Sequence, residues 1–195
     1  RLIRDSYGKY WDKWVIDTEK IVTSTNTLSE NEILQLRLIH FFIWLFWNVG
    51  ILQPLLVLGR VCGINPFDSL LALINNREEI SLELVKIVDE YFEEANLEWF
   101  DTKEQLISYY EKKAQDIEKS LDRFNNLNFT YSPKIIMKKD LFKSMVDFLA
   151  NFIEEHSPEK AKQYDVHGVR DYTLDRLCLD FTDVNVQREA NLSKK

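Results

Sequence analysis

A chain of 195 residues is long enough for one domain with a substantial core. Its 45% hydrophobic and 29% charged residues exclude a disordered chain, and five glycines with four prolines leave too little turn punctuation for an all-β fold. The net charge of −7 excludes the basic surplus that displaces counterions from nucleic acid, and Lys134, Lys138 and Lys139 read as a solvated helix start.

The expected architecture is therefore all-α, an irregular multi-helix bundle with room for one short extended segment near the N-terminus. Residues 1–28 read as an arm, 29–187 as the helical domain and 188–195 as a polar tail. In the arm, Ile3, Tyr7, Tyr10, Trp11 and Trp14 recur at threes and fours, the one-face pattern of a short helix. Lys20-Ile21-Val22-Thr23-Ser24-Thr25 is β-branched and reads as a strand or an extended connector. Opening on Arg1 without an initiator Met is what a segment or processed chain would show.

Ser29-Glu30-Asn31-Glu32 is a capping box that starts a helix running to about Trp47. A second helix is expected over 52–61, and Asn65-Pro66 opens a third. Apolar positions Val85, Val88, Phe92, Ala95 and Trp99 predict a helix whose acids, including Glu90 and Glu98, form a solvated face. Thr102–Gln105 is a second capping box ahead of a helix through Leu106, Tyr110, Ala114, Ile117, Leu121 and Phe124, closed by Asn125-Asn126. Ser132-Pro133 reads as a linker. Further helices carry Leu141, Met145, Phe148, Leu149 and Phe152, then start at Ser157-Pro158, then include Tyr172, Leu177 and Phe181.

The stretch Leu38–Gly59 is apolar enough to raise the question of a membrane span. Asn48-Val49-Gly50 and Gln53-Pro54 divide it into two short helices, and its aromatic run lies inside the first helix instead of at the ends where membrane proteins concentrate Trp. A buried helical hairpin is the preferred reading.

No glycine-rich phosphate loop, nucleophile elbow or His-Glu-x-x-His is present, so no complete catalytic motif can be assigned. Cys62 and Cys178 lie far apart among apolar neighbours and read as small buried hydrophobes in a reduced, cytoplasmic setting. His40 sits in the apolar helix and, with Trp44 and Trp47, marks a candidate pocket. His167 lies in an acid-rich segment, Asp165–Asp171, that reads as a loop of surface charges.

Three segments in order carry a resemblance: Arg4-Asp5-Ser6-Tyr7-Gly8-Lys9-Tyr10-Trp11, then Ile21-Val22-Thr23-Ser24-Thr25-Asn26-Thr27-Leu28-Ser29, then the aromatic helix entered through Leu36-Arg37-Leu38. Together they resemble the region after the catalytic barrel in cobalamin-binding radical S-adenosylmethionine enzymes, where a strand ending in Ser-Thr leads through a capped turn to an all-helical extension. The resemblance covers about the first third of the chain. It implies a parent enzyme whose other domains hold a 4Fe-4S cluster, S-adenosylmethionine and cobalamin. The hallmark Cys-x-x-x-Cys-x-x-Cys is absent here, so this chain alone is expected to bind none of them. Its implied role is to cap the barrel and shape the substrate cavity, with Tyr7, Tyr10, Trp11 and Trp14 as the docking seam against the other domains. The alternative is a stand-alone helical domain binding a small ligand beside His40, Trp44 and Trp47, or binding a protein partner, for instance through the acids of Glu90–Glu98.

Overall fold

The computed structural model describes residues 1–11, 13–120 and 126–177. It is 71% helical, a mostly α multi-helix fold carrying one two-stranded antiparallel sheet near the N-terminus. The expected N-terminal helix is instead a β-hairpin, β1 (Leu2–Tyr10) and β2 (Lys13–Lys20), with Tyr7 opposite Ile16, Lys9 opposite Trp14 and Tyr10 opposite Lys13. The segment is rich in Tyr, Trp, Val, Ile and Thr, which fit a pleated surface, and that preference overrides the chance spacing at threes and fours. β2 ends at Lys20, and 21–25 is a connector without regular structure, the second of the two readings of that segment.

The capping box forms as read. The Glu32 amide donates to Ser29 Oγ at 3.3 Å, while Glu32 Oε2 accepts from the Ser29 amide at 2.7 Å. The Ser29 amide, and after it the Ser29 hydroxyl donating to the same Glu32 Oε2 at 2.7 Å, hold the Glu32 carboxyl below its ordinary range. Ser29→Ala is expected to lower stability by about 1 kcal/mol in chemical denaturation. From this cap α1 runs over Glu30–Phe42 and widens into a π-helical segment, Ile43–Asn48, closed by a Val49 amide to Trp44 carbonyl bond of 2.9 Å. Phe41, Phe42, Leu45 and Phe46 are buried there, and Trp44 and Trp47 are half-buried.

The chain then turns a 90° corner into α2 (Gln53–Val61). Gly50 makes the corner with φ 87°, and its carbonyl accepts from Arg176 Nη1 at 3.1 Å. No single helix among the described residues is long and apolar enough to cross a membrane, although this bent pair passes on length and composition together. Ile51, Leu52, Leu55, Leu56 and Leu58 are buried in the protein's own core.

α3 (Pro66–Asn75) starts at Asn65, whose side chain accepts from the Phe67 amide at 3.0 Å. The single turn α4 (Arg77–Ile80) leads to α5 (Leu82–Leu97), which buries Leu84, Ile87, Val88, Tyr91 and Ala95 against α1 and α7. Its expected inward positions Val85 and Phe92 are half-buried at the edge of that face. α6 (Lys103–Ser120) begins with Gln105 donating to Thr102 Oγ1 at 3.2 Å; Leu121, Phe124 and Asn125 lie outside the described residues. The expected linker at Ser132-Pro133 is interior to α7 (Leu127–Ile136). Asn126 caps this helix at the Asn128 amide (3.0 Å), and burial of Tyr131 and Ile135 offsets the backbone hydrogen bond that Pro133 cannot donate.

α8 (Lys139–His156) is the most strongly two-faced helix and packs on α2, α3 and α7. The turn α9 (Pro158–Ala161) and α10 (Val166–Leu177) follow, so His167 stands in the first turn of a helix instead of a loop. Asp165 makes that start by accepting from the Gly168 amide at 2.8 Å. Phe181, Cys178 and the polar tail lie outside the described residues.

Asp147 on α8 ties α10 down by accepting from Arg170 Nε at 2.5 Å, with Lys143 also at 2.5 Å. Burial works against its charge, but the hydrogen bonds from Arg170 and Lys143 outweigh it and hold the carboxyl below the usual range. A depressed folded value means that the stability is present above the unfolded value and lost as pH falls through the folded one. Helicity is therefore expected to fall in an acid titration below about pH 4, and Asp147→Asn should flatten that limb while destabilising the protein at neutral pH.

Candidate interaction surface

The hairpin is fastened to the helical body at its base. The Leu2 amide donates to the Phe100 carbonyl at 2.7 Å and the Phe100 amide returns a bond to Leu2 at 2.9 Å. Arg1 reaches Glu30 and Asp101, each at 3.2 Å, while Ile3 and Ile21 pack on the core. The Arg4 guanidinium lies 5.1 Å from the centre of the Tyr110 ring, beside a Phe100–Tyr109–Tyr110 aromatic cluster. α6 packs chiefly on β1 and β2, so hairpin and helix make one ββα arm. Phe100 and Tyr110 anchor it, and the sequence gives them away only as ordinary helix-flanking aromatics.

At the hairpin tip Trp11 is 84% exposed and has φ 56°. A bulky residue in the left-handed region costs about 1–2 kcal/mol, a cost that glycine would avoid. Of the expected seam, Tyr7 and Tyr10 lie on β1, Trp11 lies at the turn and Trp14 on β2. The backbone thus brings all four onto one hairpin, by a different route from the helix that was expected.

The second candidate group is divided. His40 is exposed on α1, Trp44 meets Phe129 edge-on at 5.5 Å, and Trp47 alone of the three lines an open groove of 470 Å³ with Arg60, Gly63, Ile64, Asn65 and Pro66. Cys62 is buried as expected, which pushes its thiol up, and its carbonyl accepts from Ser157 Oγ at 2.7 Å. Among the described residues no three His, Cys, Asp or Glu side chains gather into a metal-holding group.

The acidic side of α5 is neutralised from within the protein at several points. Glu90 takes Lys134 at 2.8 Å, Glu83 takes Lys138, and Glu98 takes Arg37 at 2.6 Å. Lys134 and Lys138 thus reach across to α5, while Lys138 and Lys139 stand exposed at the start of α8, the solvated helix start that was expected. The Arg37 link is the most enclosed, with Arg37 Nη1 also donating to the Ala95 carbonyl at 3.0 Å and Tyr91 Oη donating to the Arg37 carbonyl at 3.3 Å. Burial pushes the Tyr91 phenol up to about 12. An elevated folded value keeps its contribution intact below the unfolded value of about 10 and removes it as pH climbs from there to the folded value, so alkaline unfolding is expected in that window.

No family model, curated protein or solved structure matches the chain. The fold is that of a mostly α-helical domain with a ββα arm.

Proposed function

We propose that this chain is a non-catalytic accessory domain of a radical S-adenosylmethionine enzyme that also uses cobalamin, capping the barrel and helping to shape the substrate cavity. The observation that carries this reading is the arm: a hairpin anchored at its base through Leu2, Phe100 and Arg1, with Trp11 held in a costly conformation at an exposed tip. The base of the hairpin is covered by α6 and the core, and a docking partner would cover the Trp11 ring at its tip. Of the three resemblance segments, β1 carries the first, the Thr23 hydroxyl of the second meets Glu30 at the start of α1 at 3.4 Å, and Arg37 of the third clamps α1 to α5.

The residues of this chain do not fit the cofactors of such a parent. Cys62 is a lone buried thiol among apolar side chains, with no second cysteine among the described residues to join it at a cluster. The cluster, S-adenosylmethionine and cobalamin would therefore belong to other domains, and this chain's part is to bind, orient and exclude water.

Hydrogen exchange tests the docking role directly. Hairpin amides are expected to exchange at least about tenfold more slowly in the full-length gene product than in the 195-residue chain; equal rates would count against docking. Trp11→Gly is expected to raise the stability of the chain by about 1 kcal/mol and to weaken that protection.

A further inference from the structure

The groove beside Trp47 does not depend on the radical-enzyme reading. It runs between the end of α2 and the start of α3, where Gly63 turns the chain with φ 93°. Beside the groove on α2, Val57, Arg60 and Val61 follow at i, i+3 and i+4; Val57 and Val61 are 44% and 50% exposed, and Phe67 beyond the turn is 42% exposed. Trp47 and Ile64 are half-buried and give the groove an apolar wall.

Its charge is positive. Arg60 lines the groove, and Lys160 Nζ lies 2.9 Å from where a side chain on Gly63 would begin. Neither cation has an ion-pair partner among the described residues, in a chain whose net charge is −7. Arg60 is the charged residue that lines the groove; Lys160 stands beside it at Gly63, and Asp68, exposed in the first turn of α3, lies outside the lining as Lys160 does. The start of α3 is already satisfied by Asn65 and Pro66, so the attraction for an anion comes from the two side chains and not from the helix end.

From this complementarity we infer that the groove docks an acidic amphipathic segment of a partner protein, setting a bulky apolar side chain against Trp47 and Ile64 and carboxylates against Arg60 and Lys160. An apolar floor with flanking charge is the arrangement that recognises amphipathic peptides, and the charges set partner choice. One lining cation with a second beside Gly63 suits a peptide better than a lipid surface, whose recognition uses clusters of about four to eight.

The test is panning of a random 12-residue phage-displayed peptide library on the whole chain, with counter-selection on the Arg60→Glu/Lys160→Glu variant. Both side chains are exposed, so the variant is expected to melt within a few degrees of the parent. Ile64→Ser supplies a charge-neutral second variant. Enriched peptides should combine Asp or Glu with Trp, Phe or Leu, bind at least about tenfold more weakly to either variant, and weaken in high salt. The inference is overturned if no peptide is enriched, if enriched peptides lack acids, or if both variants bind them as well as the parent. It is overturned equally if phosphatidylserine-containing vesicles bind the chain through Arg60 and Lys160 while no peptide does.

Discussion

Phe42→Ala is expected to lower the free energy of unfolding by about 3–5 kcal/mol, the largest loss from any single change considered for this fold. Phe42 is fully buried where α1 passes into the π-helical segment. Its ring meets Phe41 at 5.9 Å and Phe46 at 5.1 Å, both edge-on, and Phe41 in turn stacks on Tyr91 at 5.2 Å. Truncation removes the transfer term and leaves a cavity that neighbours on two helices cannot close, because close-packed interiors relax only partly. Most domains have only about 5–15 kcal/mol in total, so the variant should unfold at much lower urea with an unchanged slope. A loss below about 1 kcal/mol would mean that the corner between α1 and α2 is not the centre of the core.

Arg37→Met is expected to cost about 2 kcal/mol. The change keeps much of the aliphatic stem and removes the charge, leaving the Glu98 carboxylate, 17% exposed, without its 2.6 Å partner. Breaking a fully buried pair costs about 3–5 kcal/mol, and the partial exposure of Arg37 lowers that figure. The Arg37→Met/Glu98→Leu double variant should recover most of the loss, because it removes the stranded charge as well. Urea denaturation of the two single variants and the double variant gives the coupling directly. Additive losses would show that the two side chains act separately.

The helices were legible where local chemistry writes them plainly. Ser29 and Glu32, Asn65 and Pro66, and the Asn48–Gly50 break each mark a boundary that the structure keeps. The hairpin was hidden for a physical reason. Its turn lies between Tyr10 and Lys13 and contains none of the Asn-Gly or Asp-Gly pairs that favour positive φ; Trp11 takes that conformation instead. Ser132-Pro133 misled in the opposite direction, since a proline that would end an isolated helix is carried through by the buried Tyr131 and Ile135. Of the candidate site, Trp47 was found by its place in an aromatic run. Arg60, Gly63 and Lys160 could not be, because Lys160 reaches the groove from α9, far along the chain, and no local spacing encodes that approach. His40 looked like a pocket residue because its neighbours are apolar, but it lies on the exposed side of α1.

The central claim is that this chain serves a radical enzyme whose cofactors lie in other domains. The most direct measurement is the anaerobic ultraviolet–visible spectrum, with iron and cobalt analysis, of the full-length product of the gene that encodes the chain. Iron–sulfur absorbance and bound cobalamin in that product, with neither in the 195-residue chain, is the expected result. A native product that is colourless and free of iron and cobalt after anaerobic purification would contradict it.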